Sequence, residues 1–541
     1  MPKNYQHTLA LVYAIKEINE NSAILPNITL GLSIFDNYYS MQMTYEATLR
    51  LLSTQNRFVP NYKCDNLNHL MAVIGGLVSE TSYYMATVLN IYKIPQMTYG
   101  SLALGLSGKI LAPSLYQMVP NEVHQYTGIV QLLLHFRWRW VGLFAVDDDN
   151  GERFLQALVP MLSANHICFD FMERTPKWTN VAGMLDLFLE NLENFPSLMK
   201  SKANVFIVHG VPPSLLNLSW YLHIAAEIPQ LGKVWITTEQ WEFGLNAYQK
   251  DWDMQPFHGA ISFTVHRKEP PGLGQFLRNV NPFGGREDGF IQDFWENAFS
   301  CSLKNSSVAE SEELKESCTG EEKLETLPET FFEMSLTGHS YNVYNAAHAI
   351  AHAIHHFYEF RSKHLKRVVE KTLEFWNLQS WKVMSSIKHN SLYRSCSQYL
   401  SHSLISINLH VFLKSISFNN SAGETVHFDE NGELVTGFDV TNWIMFPNQS
   451  FVRVKVGTLN PQAPHGKELA LQPQSIVWHR GFKQVPPISL CNDHCQPGYH
   501  KKKKEGEPSC CYICITCPEG KISAQKGKSL DGDGAEIYLI L

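Results

Sequence analysis

Six of the chain's eleven cysteines (Cys491, Cys495, Cys510, Cys511, Cys514 and Cys517) fall in the 27-residue stretch 491–517, after 490 residues that hold only five. Such crowding implies a large domain with few bridges, followed by a small module that cannot bury enough apolar surface without them. The spacing C-x3-C-x14-C-C-x2-C-x2-C admits a zinc alternative, because Cys511-x2-Cys514-x2-Cys517 has thiolate-ligand spacing. Adjacent Cys510 and Cys511 suit bridges pointing opposite ways, which favours disulfides.

An oxidising compartment agrees with five N-x-[ST] acceptors: Asn27, Asn217, Asn305, Asn419 and Asn448. The 541 residues are 44% apolar, enough for large cores and about three domains. A net charge of −7 and no long basic stripe leave no footprint for nucleic acid. The first twenty residues read as an amphipathic helix, without a signal peptide's apolar core or cleavage site. No window reaches the roughly 18 apolar residues of a membrane span. Extracellular chemistry without targeting or anchoring is inconsistent, so truncation at both ends is expected.

Helical and strand periods alternate. Helices are expected at 5–20, 42–53, 80–92, 122–136, 151–163, 214–226 and 339–360, and strands at 28–35, 70–75, 95–99, 140–146, 203–208 and 233–237. That alternation builds parallel, doubly wound sheets, and the number of units calls for two α/β lobes. The acidic, serine-rich segment 301–328 breaks the pattern, and Cys301 and Cys318 are expected to bridge its base. Asn431-Gly432 marks a turn within 428–435, residues 460–490 read as a linker, and 377–403 is poorly patterned.

Open α/β sheets bind ligands at the carboxyl ends of their strands. That rule selects Ser79, Tyr99 to Ser101, Asp147 to Asn150, His209 and Glu239. Two facing lobes would set these hydroxyls, carboxylates and helix-start donors around a cleft suited to a small zwitterion. Taken singly, Ser79, Ser101 and Asp149 are equally ordinary helix caps. Nucleophile-elbow, phosphate-loop and dinucleotide motifs are missing, so no enzyme and no cofactor is expected. Asp147 to Glu152 is a solvated acidic turn rather than a calcium loop, since Gly151 stands where a ligand belongs. His348, His352, His355 and His356 share a helical face, but without nearby carboxylates they read as packing, and no metal is assigned. Lys501 to Lys504 read as a solvated charge run.

Several stretches resemble the extracellular part of class C G-protein-coupled receptors, most nearly the vomeronasal type-2 pheromone receptors. They are AIKEINEN...LPNITLG (14–31), AVIGGLVSETS (72–82), IPQMTYGS (94–101), FRWRWVGLFAVDDDNGERF (136–154), SFNNSAGETVHFDENGEL (417–434) and CCYICITCPEGKIS (510–523). The resemblance covers about 5–523. It implies a two-lobed, periplasmic-binding-protein-like "Venus flytrap" of α/β class, followed by a partial nine-cysteine module. Residues 1–120 and 265–420 would form lobe 1, lacking its first strand, and 121–264 and 421–470 lobe 2. A linker (471–490), the cysteine module (491–523) and a divergent tail (524–541) would follow.

The family pattern pairs Cys168 with Cys510, Cys491 with Cys511 and Cys495 with Cys514. It puts Ser79 at a ligand carboxylate, Glu239 at the α-amino group and Glu122 at a second acidic position near the hinge. Ser101 would line the same pocket. The chain departs where Asn150 replaces a tyrosine, Leu102 a threonine, and His339 the lysine that glutamate-binding members use. Glutamate is therefore a poor ligand, and a neutral amino acid or peptide terminus fits better. Cys64, Cys396 and Cys517 are left without mates. By resemblance, a full-length member sits in the plasma membrane facing outward, pairs through lobe 1 and engages a G protein; this chain lacks the seven-helix bundle. The competing expectation is a soluble, non-signalling binding protein for an amino compound or peptide.

Overall fold

The structure is a computed structural model that describes residues 2–53, 70–100, 113–175, 201–210, 218, 232–239, 254–284, 288–303, 317–329, 331–372, 409–447 and 450–517. The described residues divide into two compact units, one drawn from 1–122 and 265–437, the other from 123–242, 251–264 and 438–541.

In the first unit, Tyr5, Leu9, Ala10, Tyr13, Ala14 and Ile18 recur at helical spacing along α1 (Pro2–Glu20) and are buried. They share a core with alanines 346, 347, 349, 351 and 353 of α8 (Gly338–Thr372), whose small side chains allow close helix approach. Between these helices in sequence run α2 (Met41–Leu51), α3 (Ser79–Leu89) and a short parallel sheet of β1 (Val73–Ile74), β2 (Gln96–Thr98) and β3 (Leu115–Gln117), in that order. A hairpin, β9 (Ser417–Asn419) with β10 (Thr425–His427), is followed by the expected turn, where Phe428 bridges Leu434. Glu433 bridges Gln117 of β3, and Val426, Phe428 and Leu434 enter the core of this unit. The change of unit therefore falls at 437/438 rather than at the expected 420/421.

The strand expected at 28–35 does not form: no ladder pairs it among the described residues, and the amide and carbonyl of Leu30 bond the Asn19 side chain instead. Residues 214–226 other than Leu218, and all of 377–403, lie outside the described residues.

The second unit is built on eight strands ordered β13-β12-β11-β8-β7-β6-β4-β5. β4 (Trp140–Val146), β5 (Cys168–Thr175), β6 (Val205–His209), β7 (Val234–Thr237) and β8 (Ile261–Val265) pair in parallel. β11 (Phe438–Met445), β12 (Phe451–Leu459) and β13 (Leu469–Leu471) add an antiparallel edge, so the sheet is mixed rather than purely parallel. Every residue of β4 is buried, which is why it reads as an unbroken apolar run. Helices α4 (Val123–His135) and α5 (Asp149–Ala164) flank it in sequence; α6 (Leu273–Arg278) and α7 (Ile291–Phe299) belong to the first unit.

Residues 473–489 are not a loose linker. Trp478 is buried edge-on against Phe136 and Trp138, and Trp138 Nε1 donates to Pro487 O at 2.7 Å. The amides of Arg139 and Trp140 both donate to Ser489 O. Beyond this strap, β14 (Tyr499–Lys503) and β15 (Tyr512–Thr516) form a small antiparallel ladder. Disulfides join Cys491 to Cys511, Cys495 to Cys514 and, from β5, Cys168 to Cys510; Cys301 joins Cys318 in the first unit. Cys517 forms no disulfide among the described residues, and Cys64 and Cys396 lie outside them.

Candidate functional site

Two sets of residues sit at carboxyl ends of strands, one in each unit. In the first, β1 runs into Gly75-Gly76 and directly into α3. Gly76 has φ +101°, and a Cβ there would stand 2.1 Å from Ser82 Oγ, so only glycine fits this turn. Thr98 Oγ1 donates to Gly76 O at 2.7 Å and lies 3.0 Å from Ser82 Oγ. The Gly100 amide donates to the same carbonyl at 3.2 Å, locking the ends of β1 and β2 together. Ser79 opens α3 and is buried; Val78 occupies the cap position, and its side chain makes no cap bond. Ser79 thus stands one position inside the cap, among the helix's first amides.

His339, in the first turn of α8, is buried with its ring 6.3 Å from that of His7. His7 packs edge-on to Tyr99 at 5.2 Å, and Asn342 Nδ2 donates to Tyr99 O at 3.4 Å. Tyr99 and His339 thus share one neighbourhood, with His7 and Asn342 as members that residue type alone did not reveal. Glu122 is half-buried immediately before α4, and Ser101 lies outside the described residues.

In the second unit, Glu239 follows β7 and is 3% exposed. Its backbone amide donates to Gln125 Oε1 at 3.1 Å, while Gln125 Nε2 donates to its carboxylate. One α4 amide group thus fixes both the loop and the charge. His209, at the end of β6, stacks on Phe154 at 4.3 Å with 9° between the rings, and its Nδ1 lies 3.4 Å from Thr238 Oγ1. Burial, helped by the charge of Arg153, holds its pKa down to about 3, so the ring is neutral at physiological pH. Asp148, not Asp149, caps α5, accepting from the amides of Asn150 and Gly151. Asn150 is buried in that first turn and accepts from Arg153.

The structure therefore brings Glu239 and His209 together through Thr238, with Gln125, Phe154 and Arg153 as supporting residues that sequence reasoning missed. Gln125 carried one faint signal, a polar residue on a buried helix face made otherwise of apolar residues, glycine and Tyr126. A carboxylate held in place at a strand end accepts a cationic donor; amides and a serine at a helix start accept an anion.

The α8 histidines do have carboxylates nearby, contrary to expectation: Glu17 beside His348 and Glu359 beside His355. No group of three His, Cys, Asp or Glu side chains able to hold a metal occurs among the described residues. His352 stacks on Phe418 at 4.3 Å, and His348 is buried with Nε2 3.6 Å from Glu17. Lys501 lies over the Tyr512 ring at 4.5 Å.

The chain thus consists of two α/β units followed by a disulfide-stapled module. Residues 6–445 match the family described as "Receptor family ligand binding region", and 486–530 match "Nine Cysteines Domain of family 3 GPCR". The chain belongs to the extracellular region of the class C G-protein-coupled receptors. Among its relatives are the human extracellular calcium-sensing receptor (29% identical, covering 97% of this chain and 48% of that receptor) and mouse vomeronasal type-2 receptor 26 (30%, 96% and 56%). Human G-protein coupled receptor family C group 6 member A is 24% identical over 96% of this chain and 52% of its own length. The chain spans about half the length of the curated relatives it matches. No described helix is long and apolar enough to cross a membrane.

Proposed function

We propose that this chain is the chemosignal-sensing part of a vomeronasal-type receptor, that it binds a neutral amino acid or a peptide terminus, and that it is not an enzyme. The match of residues 6–445 to a receptor ligand-binding region carries this proposal. Support at the residue level comes from Glu239, a buried carboxylate oriented by Gln125, which suits a ligand ammonium, and from Ser79 among the first amides of α3, which suits a carboxylate. His339 in place of a lysine disfavours a second ligand carboxylate. In a full-length receptor, ligand-biased populations of open and closed forms would be relayed to a membrane bundle and a G protein at the plasma membrane. Pairing of two copies through the face of α2 and α3, where Met41 and Tyr83 are exposed, belongs to the same proposal.

The test is thermal unfolding of the purified chain against a panel of neutral amino acids and short peptides. A ligand at 100 times its Kd raises stability by about 2.7 kcal/mol. The shift should vanish in Glu239→Gln and Ser79→Ala while both variants still unfold cooperatively. No shift with any member of the panel would remove the roles given to these two residues.

A further inference from the structure

The strap 476–489 carries a histidine that the ligand-binding reading leaves unused. His479 is 7% exposed, and its Nδ1 accepts the Gly481 amide at 3.1 Å, capping the helical turn Arg480–Phe482. That acceptor role requires a neutral ring. Two glycines make room for the contact: a Cβ on Gly232 would lie 2.8 Å from His479 Nδ1, and one on Gly259, at φ +84°, 2.6 Å from the His479 amide. The strap then turns through Lys483 (φ +49°) and Gln484 (φ +62°), two successive non-glycine residues in the left-handed region, so the turn holds backbone strain that its docking must offset.

Among the described residues, the surroundings of His479 are cationic or neutral. The ring of His258, also buried, lies 6.4 Å away, with its Nδ1 3.1 Å from both the amide and the carbonyl of Met445. Arg480 is its immediate neighbour. Lys233, next to Gly232, points its ammonium to the carbonyls of Ala203 and Ser201. Asn442 receives the Val477 amide at 2.9 Å. Burial, then His258, then Arg480 hold the His479 pKa below its ordinary value, and among the described residues no carboxylate joins them as a cause.

We infer that the strap is an acid-released latch: a proton on His479 ends its cap to Gly481, sets two cations side by side, and frees the strained turn 479–485 from the second unit. The sign follows from linkage. The released strap binds the proton more tightly than the docked one, so docking is intact above about pH 6.5 and weakens as pH falls below it.

Hydrogen exchange of the whole chain, followed by mass spectrometry from pH 7.5 to 4.5 and corrected for intrinsic rates, tests this. Protection of 476–489 should fall below pH 6.5, by at most about tenfold per pH unit for one proton, while Trp140–Val146 stays protected. His479→Asn, which can still cap but cannot be protonated, should abolish the fall. Should that variant not fold, Arg480→Ala provides the same decision: without the neighbouring cation a proton on the docked His479 costs less, so the acid-induced fall should shrink. A strap whose protection keeps pace with Trp140–Val146 at every pH, an unchanged fall in His479→Asn, or an undiminished fall in Arg480→Ala would overturn the latch.

Discussion

Glu239 shows what a single residue discloses in sequence and what it withholds. Its place after an apolar run ending in VWITT marks it as a strand-end acid, and that much is legible. That one glutamine amide serves both its backbone and its carboxylate is not, because Gln125 lies 114 positions earlier and only folding joins them. The contact makes Gln125 a positioning residue. Gln125→Ala removes a donor from a buried carboxylate, which should lower the stability of the second unit by about 1–3 kcal/mol in urea unfolding at pH 7. The loss should shrink in the Gln125→Ala/Glu239→Gln double variant, because a neutral amide needs the missing donor less. Equal losses would mean that the two side chains do not couple.

At the scale of elements, periodicity located the strands that are buried on both faces and passed over those whose polar residues find distant partners. The run FDVTNWIM reads poorly as a strand because Asp439, Thr441 and Asn442 interrupt it. In the fold Asp439 meets Lys455 at 2.6 Å, and Asn442 donates to Ala260 O and accepts from Val477, so each polar group is satisfied within the unit. The opposite failure is 28–35, apolar and β-prone yet unpaired among the described residues. The Asn431-Gly432 turn succeeded because its chemistry is local. Asp429 Oδ1 accepts the amides of Asn431 at 2.9 Å and Glu433 at 2.8 Å, and Gly432 sits at φ +75°. A Cβ on Gly432 would approach Tyr116 only to 3.4 Å, so the strain of Gly432→Ala is conformational rather than steric. Thermal unfolding should show a loss of about 1 kcal/mol. A much larger loss would mean that the turn is held by packing rather than by its backbone.

For the whole molecule, cysteine spacing announced a stapled module but not what it is stapled to; the Cys168 partner came from family resemblance, since Cys510 and Cys511 are interchangeable by spacing. The bridge closes a 342-residue separation, whereas the two within the module close 20 and 19. In the chain-entropy account a loop this long restricts the unfolded ensemble most, by roughly 6 kcal/mol against about 3 for the short loops. The same unit also holds the strap through Trp478, Pro487 and Ser489, contacts that survive loss of the bridge. The two contributions act on different states, the bridge on the unfolded chain and the strap contacts on the folded one. Replacing both Cys168 and Cys510 by serine, so that no thiol is orphaned, should therefore lower the global stability of the second unit by about 3–5 kcal/mol yet leave 476–489 protected from exchange at neutral pH. Slow-exchanging amides of β4 should report the loss, while those of α1 in the first unit keep their rates. If exchange at 476–489 rose as much as in β4, the strap would depend on the bridge, and its own contacts would be too weak to hold it.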